Sequence, residues 1–154
     1  MTLSKSRLPE LHPGDALPGI VKLISQEKIN LYAEASSDFN PIHIDEAFAA
    51  NTAFGGTVAH GMLILAYVSE MMTLAFGKNW FSSGKLTIRF KAPARPKDTV
   101  TVRGAVDSTE VKDDNLNFIC SINCSNQRQE TVVTGTAMVK VKPTNQRTLE
   151  DASR

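Results

Sequence analysis

The sequence predicts an α+β fold, an antiparallel sheet wrapped around one long central helix, and three observations carry that prediction. The stretch from about Ala59 to Phe76 is apolar nearly all round, the mark of a helix buried on most sides. Directly after it the apolar period changes from helical to alternating, with Leu86, Ile88 and Phe90 interleaved with Lys85, Thr87, Arg89 and Lys91. Three further segments, Thr99 to Val106, Asn115 to Cys124 and Thr131 to Val141, are rich in Val, Ile, Thr and Phe, which fit a pleated, half-buried surface.

Taken in chain order, each element has a local cause. A turn at Pro13-Gly14-Asp15 precedes a short first strand expected over Leu17 to Leu23. Ser25 is an N-cap residue for a helix carrying Ile29, Tyr32 and Ala33 on one face. Proline disfavours helix in the residue before it, so Asn40-Pro41 is expected to place Asp38 and His43 on a turning loop from Ser36 to Ile44. Asp45 caps a short helix through about Asn51, Phe54-Gly55-Gly56 breaks it, and Gly77 stops the long helix. The domain is expected over residues 14–142, with an N-terminal extension over 1–13 and a polar, frayed tail over 143–154.

Composition narrows the function classes. At 154 residues the chain holds one domain with a sizeable core, and 42% apolar against 21% charged residues argues against global disorder. A net charge of +1, both signs interspersed, argues against a general nucleic-acid binder. The N-terminal residues contain no apolar run of signal-peptide length, and Met62 to Phe76 is broken by Ser69, Glu70 and Thr73, so a cytoplasmic protein is expected. Cys120 and Cys124 fall in one predicted strand, where four residues span roughly 13 Å and no disulfide can close.

The chemistry concentrates in Ser36-Ser37-Asp38-Phe39-Asn40-Pro41-Ile42-His43-Ile44-Asp45, followed by Gly55-Gly56-Thr57-Val58-Ala59-His60-Gly61-Met62. A carboxylate and an imidazole five positions apart around an Asn-Pro turn can aim at one point and share a water as acid and base. Taken singly, each residue has a plainer reading. Asp38 can bond its own backbone, and His43 can simply be solvated. His60 is expected to close the start of the long helix by hydrogen bonding. A metal site drawn from His43, Asp45 and His60 lacks a spaced ligand set, because Asp45 serves as a cap, so no metal is expected.

This order of residues resembles the MaoC-like (R)-specific enoyl-CoA hydratases and 3-hydroxyacyl-thioester dehydratases, a branch of the hot-dog fold. The likeness runs from about Gly14 to Lys142 and is sharpest from Asp38 to Met62. It implies reversible hydration of trans-2-enoyl thioesters by an Asp/His pair and one water. In the family's Asp-x-Asn-Pro-x-His motif, Asp38 and His43 match the catalytic pair, and Gly61 matches the glycine whose backbone N–H binds the thioester carbonyl. Asn40 matches the family's asparagine, a loop-orienting or polar pocket residue, and Ser69 matches a serine near the pocket. The resemblance also implies a homodimer and no cofactor beyond the coenzyme A or acyl carrier protein that carries the acyl group. Which of Asp38 and His43 is the base stays open at this stage.

Two features bear on substrate. Phe54 either walls an acyl tunnel or packs in the core. Lys85, Arg89 and Lys91, with Arg95 and Lys97 beyond them, either meet carrier phosphates or an acidic carrier surface, or form a solvated face. Two other functions are weighed against the hydratase. A hot-dog thioesterase generally lacks the Asp38/His43 loop motif, and a non-catalytic acyl-thioester-binding subunit has no need of both proton-transfer groups.

Overall fold

The computed structural model describes residues 10–142; the expectations for the first nine residues and for the tail over 143–154 lie outside the described residues. Strand β1 (Ile20–Leu23) leads into helix α1 (Gln26–Ser36), which starts where Ser25 Oγ accepts the Lys28 N–H at 3.2 Å. It ends at Ser37, whose left-handed φ of 57° turns the chain toward Asp38. The first strand is shorter than the expected Leu17 to Leu23. Leu17 and Ala16 do pair with the neighbouring strand, but Pro18 has no N–H to continue the ladder.

Two one-turn helices follow, α2 (Pro41–Ile44) and α3 (Glu46–Ala50). The expected loop is therefore half helix, and His43 stands on α2 rather than on a loop. The proline rule holds at Asn40 itself, which is non-helical at ψ 126°. Pro41 then takes the first helical position, where a missing N–H costs nothing, and Asn40 Oδ1 accepts the Ile42 N–H at 3.2 Å. Asp45 caps α3 as expected, accepting the Phe48 N–H at 3.0 Å.

Helix α4 (Gly61–Phe76) begins two residues later than its apolar pattern. Val58 and Ala59 donate their backbone N–H groups to Ile42 and Ala94, which holds them extended. Gly77 ends the helix, and a further short helix, α5 (Lys78–Ser83), was not foreseen in the sequence. Four strands complete the chain: β2 (Lys85–Phe90), β3 (Thr99–Lys112), β4 (Asn115–Ser125) and β5 (Thr131–Val141). They form one antiparallel sheet with β1 in the order β1-β3-β4-β5-β2. β3 outruns its expected end at Val106 because a bulge between Val106 and Ser108 resets the register and lets pairing continue. Asp113 and Asp114, at φ 51° and 56°, close the β3–β4 hairpin with the two positive-φ residues that suit the twist of the strands.

The sheet wraps around α4 as predicted. Leu63, Ile64, Val68, Met71, Met72, Ala75 and Phe76 are buried between helix and sheet. Helix and sheet meet tightly at Gly104 of β3, where an added Cβ would stand 2.9 Å from both Met71 Cε and Leu17 Cδ1. Truncating Met71, fully buried at that crossing, belongs to the class of core changes that cost about 2–5 kcal/mol. The helix is not covered all round: Met62 and Leu74 are each 61% exposed. Phe90 also departs from the expected inward row of Leu86 and Ile88. It is 53% exposed, and its ring lies against Gly61 at the start of α4.

Candidate active site

The turn between α1 and α2, the α2 helix and the N-terminus of α4 meet at one place. One ligating atom from each of Asp38, His43 and His60 lies within 4.8 Å of the others. A single water hydrogen-bonded to two groups holds them up to about 5.5 Å apart, so this cluster is the right size for one shared water. Asp38 is exposed, whereas His43 and His60 are 8% and 2% exposed. The carboxylate therefore faces outward and the imidazoles back it.

Backbone contacts fix both rings. His43 Nδ1 lies 2.7 Å from the Val58 carbonyl oxygen. A carbonyl only accepts, so Nδ1 carries a proton, and in the neutral ring the lone pair is on Nε2. His60 Nε2 lies 3.0 Å from the Asp38 carbonyl oxygen, so that nitrogen is the donor there. His60 Nδ1 is buried with no hydrogen-bond partner among the described residues. The two imidazoles stack, with centroids 3.8 Å apart and planes at 26°, and Tyr32 packs against His60 from 4.8 Å. Lone pairs lie in the ring planes, and stacked rings hold those planes side by side, a poor geometry for converging on one metal ion.

His60 does not play the part expected of it. It occupies the cap position of α4 but makes no side-chain cap bond, and instead ties α4 to the Asp38 carbonyl. Asp38 partly fulfils its plainer reading, since its Oδ1 accepts the Asn40 N–H at 3.2 Å. That bond directs the carboxylate and leaves Oδ2 without a partner among the described residues. Gly61 opens α4, and its N–H makes no hydrogen bond among the described residues, as the first N–H groups of a helix do not. Helix polarity adds partial positive charge there. A side chain at this position would crowd Phe90, because an added Cβ would stand 2.7 Å from its Cζ.

Asp38 and His43 thus come together with His60, Gly61 follows His60 in the chain, and Asn40 acts as the α2 cap. Ser69 lies eight residues, or about 12 Å, along α4 and its Oγ accepts the Trp80 Nε1–H at 2.7 Å. Phe54 sits on the turn after α3, 39% exposed. Cys120 and Cys124 are buried free thiols, pushed by burial up to about 12 and about 11; Asp107 adds to the shift at Cys120. No strand partner brings them into the cluster.

Sequence reasoning missed the buttress behind His43. Gln26, in the first turn of α1, donates from Nε2 to the His43 carbonyl at 2.7 Å. Thr57 donates its hydroxyl to Gln26 Oε1 at 2.7 Å and its N–H to Glu46 Oε2 at 3.0 Å. The network joins α1, α2, α3 and the approach to α4. No local spacing signals it, since Gln26 and His43 are seventeen residues apart. The basic residues divide: Lys85, Arg89 and Lys91 are exposed on or beside β2, whereas Arg95 and Lys97 line a cavity with Gln26, Ile44, Glu46 and Thr57.

Comparison with known proteins meets this geometry from outside. The family described as the MaoC like domain matches residues 14–125. An (R)-specific enoyl-CoA hydratase of Aeromonas caviae is 33% identical over 121 residues, covering 78% of this chain and 88% of that protein. A 3-hydroxybutyryl-CoA dehydratase of Methylorubrum extorquens is 34% identical over 124 residues, covering 78% and 74%. The unliganded R-hydratase of Pseudomonas aeruginosa superposes with a TM-score of 0.73 at 29% identity, covering 86% of this chain and 83% of that one.

Proposed function

The chain belongs to the MaoC-like domain family, and on that premise we propose that it catalyses the reversible hydration of trans-2-enoyl thioesters to (R)-3-hydroxyacyl thioesters. The observation that supports the reading is the cluster of Asp38, His43 and His60, followed directly in the chain by Gly61, whose N–H has no partner among the described residues. A water held there donates one hydrogen bond to His43 Nε2 and the other to the Asp38 carboxylate. His43 takes a proton as the water oxygen bonds to C3, and the electron pair of the C2–C3 bond moves into the thioester as an enolate. The Gly61 N–H stabilises the developing oxyanion, where an oriented donor in a water-poor site is most effective. The imidazolium returns its proton to C2, so one water is consumed and His43 ends neutral. Asp38 orients the water and offsets the transient positive charge.

In this scheme neither a metal nor a redox cofactor has a step to perform, and the carrier arm of coenzyme A or acyl carrier protein is part of the substrate. We place the protein in the cytoplasm as a homodimer. No helix among the described residues is long and apolar enough to cross a membrane, and the two cysteines are free. The outer strands β1 and β2 each leave an edge open in the single chain, and a second copy would cover one.

Crotonyl-CoA tests the reading. Its enoyl-thioester absorbance is expected to fall without release of free thiol, and Asp38→Asn and His43→Ala are each expected to abolish at least about 10²-fold of the rate. Thiol release in step with the absorbance loss would mean hydrolysis and overturn the assignment.

A further inference from the structure

The cavity beside the dyad has a built-in cationic pair that hydration chemistry does not use. It measures about 550 Å³ and lies between α2, α3 and the connection from β2 to β3. Its wall begins one residue from each end of the His43–Val58 contact, at Ile44 and Thr57. Three charged residues line it: Glu46, Arg95 and Lys97. Glu46 Oε2 accepts the Thr57 N–H at 3.0 Å. Neither Arg95 nor Lys97 forms an ion pair among the described residues.

The turn that presents these two cations is built against its own preference. The Asp98 N–H donates to the Arg95 carbonyl at 3.0 Å, Pro96 follows Arg95, and Lys97 has φ 74°. That is a turn with proline at its second position and a left-handed residue at its third, where glycine is the residue free of steric cost. Lysine stands there instead, and it lines the cavity. The turn is held hard from behind. Buried Asp98 accepts the Arg95 N–H at 2.9 Å, the Gln127 Nε2–H at 2.9 Å and an Arg128 Nη1–H at 3.2 Å, while the Lys97 N–H donates to the Ile24 carbonyl at 2.8 Å. A rigid turn that keeps a disfavoured lysine over a cavity argues from strain to use.

We propose that this cavity receives a phosphate of the substrate's carrier arm, with Arg95 and Lys97 as its ligands; the proposal rests on the enoyl-thioester reading. Arg95 offers a planar fork suited to phosphate oxygens and Lys97 a mobile point charge. The neighbouring exposed Lys85, Arg89 and Lys91 are outside the cavity and attract the carrier only at long range.

The test compares crotonyl-CoA, crotonyl-4′-phosphopantetheine and crotonyl-pantetheine, which carry three phosphates, one and none, across wild type, Arg95→Gln and Lys97→Gly. Each substitution is expected to lower kcat/KM for crotonyl-CoA relative to crotonyl-pantetheine by about tenfold, the scale of one charge-assisted hydrogen bond. Lys97→Gly is also expected to raise Tm, since it relieves the turn. A matching loss with crotonyl-4′-phosphopantetheine assigns the cavity to the phosphate that coenzyme A shares with an acyl carrier protein. Loss with crotonyl-CoA alone assigns it to the nucleotide phosphates. An unchanged ratio in both variants, with wild type active, overturns the cavity and leaves the hydratase reading standing. Calorimetry with free coenzyme A separates the converse case: binding that weakens in both variants, without turnover in wild type, upholds the phosphate site and removes the hydratase.

Discussion

His43 Nδ1 donates to the carbonyl of Val58 across 2.7 Å, and this one bond selects the tautomer that the neutral ring presents to Asp38. The acceptor is main chain and cannot reverse its role, and Val58 is itself anchored by its N–H to Ile42 of the same α2 turn. The free lone pair is therefore on Nε2. Two-bond ¹H–¹⁵N correlation of the imidazoles is expected to show His43 with a protonated Nδ1 and a bare Nε2 when neutral. The opposite tautomer would remove His43 as the first acceptor of the water's proton and transfer that part to Asp38.

His60 is expected to act as a positioning residue. Its N–H holds the Asp38 carbonyl and its ring stacks on His43, so it braces both members of the pair without needing to touch substrate. His60→Phe keeps a flat ring in the stack and deletes both the bond to Asp38 and the unpaired buried Nδ1. Misplacing a reacting group by about 1 Å costs on the order of 10² in rate, and that loss is expected in kcat with KM little altered. Thermal unfolding is expected to shift little, because one N–H···O bond is lost and an unsatisfied buried nitrogen is lost with it. A wild-type kcat in a folded His60→Phe protein would reduce His60 to packing.

The elements that a reader of the sequence can place are those with local causes. Ser25 and Asp45 bond N–H groups three residues ahead, Gly77 ends a helix beside it, and Asp38 and His43 belong to one short motif. What escapes is set by distant partners. Pro41 and the Asn40 cap start α2, and Val58, from fifteen residues beyond His43, bonds to the turn at Ile42 and His43. Trp80 nucleates α5 by burying its ring and donating to Ser69, and Gln26 reaches His43 only because α1 folds back on α2. Apolar periodicity reports that a face is buried and not against what, which is why Phe90 was expected in the core and lies on Gly61 instead.

That contact yields a prediction about Gly61. An alanine Cβ would stand 2.7 Å from Phe90 Cζ, so Gly61→Ala must displace the ring or the start of α4. The backbone N–H survives the substitution but loses its aim when the helix start is what gives way, and removing one oxyanion donor costs about 10²–10³ in kcat. Phe90 is half exposed and can yield if shortened, so Gly61→Ala with Phe90→Ala is expected to recover much of the loss. If the double variant is no better than Gly61→Ala, the space above Gly61 is needed by the substrate and not by Phe90.

The two buried thiols predict a specific weakness in alkali. Burial, aided at Cys120 by Asp107, raises the thiols from an ordinary 9.0 to about 12 at Cys120 and about 11 at Cys124. Between the unfolded and folded values the native chain keeps protons that the unfolded chain has released. Stability then falls as pH rises, beginning near 9 and continuing toward 11 and 12. Urea midpoints measured at several pH values from about 8 to about 10.5 are expected to decline in wild type. Cys120→Ala with Cys124→Ala begins from a lower midpoint, because two small cavities open in β4, but its decline is expected to be shallower. Parallel declines in the two proteins would show that other groups carry the alkaline loss and that the thiols ionise alike in both states.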